Sequence, residues 1–71
     1  MTKKESMDEI IYNLKMSGNA DFEIDNHESF ASGELQAGGF YIESQFRYME
    51  VKNLTEARKV ISKLGQKILV L

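Results

Sequence analysis

Residues 34–44 read ELQAGGFYIES, and the fold turns on what the pair Gly38 and Gly39 does. Three uses are open to it: cradling a phosphate, letting a ligand approach the backbone, or turning the chain. A phosphate loop needs a strand-to-helix transition with Lys and then Ser or Thr after the glycines. Here Phe40 and Ile42 alternate with Tyr41 and Glu43 instead, so a strand follows. The pair therefore reads as the centre of a hairpin turn, where positive φ is required and glycine supplies it without steric cost.

Upstream, Ala20, Phe22 and Ile24 alternate with Asp21, Glu23 and Asp25, the period of a half-buried strand. Taking Asn26 and His27 as a second two-residue turn gives three antiparallel strands. The registers then set Phe22 opposite Ala31, Ile24 opposite Ser29, Ala31 opposite Phe46, Leu35 opposite Ile42 and Ala37 opposite Phe40. All of Ala20, Phe22, Ile24, Ala31, Leu35, Ala37, Phe40, Ile42, Phe46 and Tyr48 fall on one face. The other face receives Asp21, Glu23, Asp25, Glu28, Glu34 and Glu43, with Arg47 as its one base and Phe30, Tyr41 and Met49 as its apolar part. Glu34 and Glu43 are expected directly across from each other, an arrangement that costs stability.

Helices flank this meander. Ser6 with Glu9 has the spacing of a capping box, followed by Met7, Ile10, Ile11 and Leu14 on one stripe and Gly18 as a stop, which predicts a helix over 7–17. Asn53 with Glu56 repeats that grammar, with Leu54, Ala57, Val60, Ile61 and Leu64 on one face and Gly65 as the stop, which predicts a second helix over about 54–64. QKILVL at the end reads as a short fourth strand or as a continuation of that helix, and four consecutive apolar residues favour the strand. The expected fold class is α+β: a two-layer α-β-β-β-α domain over residues 6–71, preceded by a flexible tail over 1–5.

Composition narrows the function classes. The 71 residues include no cysteine, which removes disulfides, thiolate nucleophiles and cysteine-based metal sites and fits a reducing compartment. MTKKESMDEI lacks the apolar stretch of a signal peptide, and no run approaches the roughly 18 apolar residues of a membrane span, so the expectation is a cytoplasmic chain without membrane contact. The net charge of −2 hides a segregation. Residues 1–20 balance, residues 21–50 carry seven acids against Arg47, and residues 51–71 carry five bases against Glu56.

Enzyme chemistry finds little purchase. Asp25, His27, Glu28 and Ser29 lie together in DNHES, but triads draw their members from separate segments so that the side chains converge. One His and no Cys leave only carboxylates for a metal, without calcium-loop spacing. Glu34 and Glu43 lie on an open face where nothing excludes water. The expectation is a non-enzymatic chain with no cofactor and no metal.

Two binding readings remain, with a third involving self-association. The first is a small adaptor or inhibitor, of a size that suits bacterial or phage regulators, whose acidic face with Glu23, Phe30, Glu34, Tyr41, Glu43 and Met49 meets a basic protein surface. The second is a nucleic-acid-binding module using Lys52, Arg58, Lys59 and Lys63 on the second helix, with Lys3 and Lys4 as further contacts. The third pairs the bare face or a sheet edge with a second copy, making a homodimer. In support of the second, the order α-β-β-β-α over the whole chain is similar to that of double-stranded RNA-binding domains. That resemblance implies that His27 in DNHES stands where the family's His enters the minor groove. It also aligns Ala57, Arg58 and Lys59 in NLTEARK with the family's Lys-Lys-x-Ala-Lys cluster, although Leu54 and Thr55 replace the lysine pair and the Gly-Pro before the His is absent. GGFYIESQFRYMEV is similar to the stacking strand of single-strand RNA readers. With Phe46 and Tyr48 assigned to the core and the exposed face acidic, bases are expected to be repelled.

Overall fold

The computed structural model describes residues 1–34 and 38–71, with the side chain of Glu34 outside the description. The chain runs α1 (Lys3–Ser17), β1 (Asn19–Ile24), β2 (His27–Glu34), β3 (Gly39–Ser44), β4 (Arg47–Val51), α2 (Leu54–Lys63) and β5 (Ile68–Val70). All strand pairings are antiparallel, in the order β4-β3-β2-β1-β5. The fold is α+β with two layers, both helices packing on one side of the sheet. The helical layer closes over it with Met7, Ile10, Leu14, Ala57 and Ile61, and the sheet answers with Phe22, Ile24, Phe40 and Ile42.

Helix α1 begins four residues earlier than expected. Thr2 is its N-cap: the Thr2 hydroxyl accepts from the Glu5 N–H at 3.1 Å, and Glu5 Oε1 accepts from the Thr2 N–H at 2.9 Å. The capping box is therefore Thr2 with Glu5, and residues 3–5, expected in a tail, are helical. Ser6 is buried inside the helix, and its hydroxyl has no hydrogen-bond partner among the described residues. At the other end Gly18 takes the left-handed conformation, and its N–H donates to the Leu14 carbonyl, as expected.

Helix α2 starts at its expected cap, Asn53 Oδ1 accepting from the Glu56 N–H at 2.8 Å, while the Glu56 carboxylate reaches the N–H of Lys52. Its end differs from expectation. Leu64, with right-handed helical backbone, is the C-cap, and Gly65 lies against the β1–β2 turn, where an added Cβ would collide with the Asp25 carboxylate. That carboxylate accepts from the N–H groups of Gln66 and Lys67, and the Asp25 N–H donates to the Lys67 carbonyl. These bonds swing the chain from α2 into β5, which pairs with β1 through Phe22 with Val70 and Ile24 with Ile68. The terminal apolar run is thus a strand.

The meander has four strands where three were expected. Residues 39–51 form β3 and β4, joined by a two-residue turn at Gln45 and Phe46, both with positive φ (52° and 63°). The first turn sits one residue earlier than expected, at Asp25 and Asn26 (φ 49° and 70°). It pairs Phe22 with Ser29 and Ile24 with His27, so His27 opens β2. Between β2 and β3, Ala31 pairs with Ile42 and Gly33 with Phe40. The expected partners Leu35 and Ala37 lie outside the described residues.

Each of these first two registers is displaced by an even number of residues, which preserves the facing of every side chain. Ala20, Phe22, Ile24, Ala31, Phe40 and Ile42 are buried on the expected side. The missed Gln45–Phe46 turn has the opposite effect. It pairs Glu43 with Tyr48 and Ile42 with Met49, so Tyr48 turns to the outer face and Met49 packs against the core. Of the glycines in the opening stretch, Gly39 (φ 140°) begins β3, where a Cβ would collide with the Val51 carbonyl across the sheet. Gly39 pairs with Glu34 as a strand residue instead of standing at the centre of the expected two-residue turn, so glycine there serves close strand approach.

Candidate functional site

Opposite the helices the sheet presents an outer face that no element among the described residues covers. Strand alternation and register place one row straight across it: Asp21 on β1, Phe30 on β2, Glu43 on β3 and Tyr48 on β4. Neighbouring strands are about 4.8 Å apart, so carboxylate and ring alternate at that spacing. Beside this row Tyr41 stands opposite Ser32 and Glu50. Its ring links two members of the row, tilted at 6.1 Å from Phe30 and stacked at 5.5 Å on Tyr48. The result is a file of three aromatic rings crossing β2, β3 and β4, with Tyr48 58% exposed.

The face also carries Glu23 and Glu28, which pair directly across β1 and β2. A like-charge pair is thus present on this face, at Glu23 and Glu28 and not at the expected Glu34 and Glu43. Glu34 pairs with Gly39, and Glu43 stands between Phe30 and Tyr48. Glu28 and Glu43 are exposed, Glu23 is half-buried, and none of the three has a cationic partner among the described residues. Burial raises the Tyr48 phenol above its ordinary range, with the neighbouring Glu50 carboxylate adding to the effect. The hydroxyl stays protonated at neutral pH and donates to Glu50 Oε1 at 3.4 Å.

At the end of this face the β3–β4 turn lifts Phe46 into solvent, fully exposed. Left-handed backbone is rare for a bulky residue, and two-residue turns of this kind favour Asn or Gly. Phe46 forms one wall of an open depression of about 720 Å3, lined also by Asp21, Glu28, Phe30, Glu43 and Tyr48. Arg47, beyond the turn, contributes its single base.

The acidic face thus contains Glu23, Phe30, Tyr41 and Glu43 as expected, and gains Tyr48, Phe46 and Glu50. Met49 leaves it, and Arg47, paired with Ser44, alternates out of the outer row but stays exposed where it lines the depression beside the turn. Asp25 belongs to the turn rather than the face. One signal for the missed turn was present in the sequence: Phe40 and Ile42 are at even positions while Met49 and Val51 are at odd ones, a change of phase that an unbroken strand does not permit. A strand over 40–51 would also be twice the usual length.

The basic helix is partly committed elsewhere. Arg58 pairs with Asp8 at 2.6 Å, and Lys3 Nζ donates to the carbonyls of Ser62 and Gly65 at 2.7 and 3.0 Å, closing the C-terminal end of α2. Lys52, Lys59 and Lys63 are exposed. In the DNHES stretch, the Asp25 carboxylate holds the α2–β5 connection, and the Ser29 hydroxyl is buried against that of Ser44 at 2.7 Å, donating to the His27 carbonyl. These residues are drawn into separate structural bonds, and His27 is exposed at the start of β2.

Comparison with protein-family models, with curated proteins and with solved structures finds no match for this chain. Among the described residues no helix is long and apolar enough to cross a membrane.

Proposed function

We propose that the chain is a small cytoplasmic, non-enzymatic adaptor or inhibitor that binds a protein through its outer sheet face. The observation that carries this reading is the aromatic file Phe30, Tyr41 and Tyr48, left uncovered by the described residues and set among carboxylates. Large rings at the centre of a patch with charges around it have the composition of an interface core, since rings supply buried area at little entropic cost. The surrounding acids favour a partner with a basic surface and speed its approach at low salt. They oppose use of the same rings as a base-stacking platform, because phosphates would meet Asp21, Glu23, Glu28, Glu43 and Glu50.

Capture experiments test the proposal. The immobilised chain is exposed to lysate with and without nuclease, alongside a variant carrying Glu23→Lys, Glu28→Lys and Glu43→Lys. The wild type is expected to retain a nuclease-resistant protein that the variant loses while keeping its thermal midpoint. Equal capture by the variant would remove the acidic face from consideration. A nuclease-sensitive haul retained by the variant would transfer the function to Lys52, Lys59 and Lys63.

A further inference from the structure

We infer that the depression beside the β3–β4 turn seats an arginine side chain of the partner, an inference that rests on the outer face being the binding surface. Along the row Asp21, Phe30, Glu43 and Tyr48, each ring has a carboxylate beside it, and Phe30 has one on either side. A cation above the Phe30 ring is attracted by the π face and lies about one strand spacing from Asp21 and Glu43. Guanidinium suits this arrangement better than ammonium. It stacks flat on a ring while its N–H donors point outward in the same plane, toward both carboxylates at once, whereas ammonium is a compact point charge.

Charge in the depression points the same way. Its lining holds Asp21, Glu28 and Glu43 against Arg47 alone. Among the described residues none of those three carboxylates has a cation within ion-pairing distance. An apolar side chain seated here would desolvate carboxylates without compensation, whereas a cation pairs them. The volume of about 720 Å3 leaves room for the backbone on either side of the arginine. Phe46 and Leu71, both exposed and both in the lining, offer apolar surface to the flanking residues.

Titration of the 15N-labelled full chain with the capped tripeptide Ala-Arg-Ala, followed by amide chemical shifts, tests the inference. Saturable shifts are expected at Phe30, Glu43, Phe46 and Tyr48, with a dissociation constant on the order of millimolar. Replacing arginine by neutral, nearly isosteric citrulline is expected to weaken binding about tenfold, and Glu43→Gln or Phe30→Leu by roughly three- to tenfold. Glu9→Gln, on α1, is expected to leave affinity unchanged. Equal binding of the citrulline peptide, an absence of saturable shifts, or an equal effect of Glu9→Gln and Glu43→Gln would overturn the arginine seat. If that result accompanies undiminished partner capture that still depends on the acidic face, the seat alone fails. Loss of that dependence removes the wider reading as well.

Discussion

Thr2 and Ser6 are each followed three residues later by Glu, and only Thr2 caps the helix. The sequence offers two consecutive capping boxes, and tertiary packing chooses between them. With the start at Thr2, Lys3 reaches the end of α2 and Ser6 goes into the core beside Met7 and Ile10. Local grammar could not reveal that choice, because the decisive contacts are some 60 residues away in the chain. Thr2→Ala is expected to lower stability by about 1 kcal/mol, the usual cost of losing a cap. Ser6→Ala is expected to be neutral or stabilising by up to about 1 kcal/mol, since it removes a buried hydroxyl without a partner and introduces a better helix former. Thermal denaturation of both variants checks this, and the order of effects would reverse if Ser6 were the cap. The Thr2 N–H, followed by its hydroxyl, holds the Glu5 carboxylate below its ordinary range. Its contribution is therefore present at neutral pH and fades as pH falls through that lowered value.

At the scale of elements, the strands show why a wrong register can yield a right face. Both early hairpins are displaced by even numbers of residues, so burial of Phe22, Ile24, Ala31 and Ile42 was legible although no pair was. The Gln45–Phe46 turn was not legible from residue type, because neither residue favours positive φ; the change of alternation phase and the excessive length of an unbroken strand marked it. A second consequence lies on the core side. The true register brings Ser29 opposite Ser44, and their hydroxyls bond at 2.7 Å in a buried position. Removing either hydroxyl leaves the other with fewer partners, so Ser29→Ala and Ser44→Ala are each expected to cost about 1–2 kcal/mol. The double variant is expected to cost clearly less than their sum, and urea denaturation of the four proteins measures the coupling. Strict additivity would mean that the two hydroxyls do not support each other.

For the molecule as a whole, a two-layer fold divides the labour between sheet faces. One face carries the core under α1 and α2; the other carries rings and carboxylates that no element of the described chain covers. Much of that acidic face could be read from alternation in β1, β2 and β3, whereas Tyr48 and Phe46 became visible only once β4 was separated from β3. Phe46 is where stability and binding are expected to part. Its ring is fully exposed and its backbone is left-handed, so the fold gains little from it and bears the strain. The most direct measurement is to compare Phe46→Gly with the wild type for both thermal midpoint and partner capture. The account predicts a midpoint raised by about 4–8 °C, corresponding to roughly 1 kcal/mol of relieved strain in a domain of this size, together with weakened capture. A lowered midpoint, or capture as strong as that of the wild type, would contradict it.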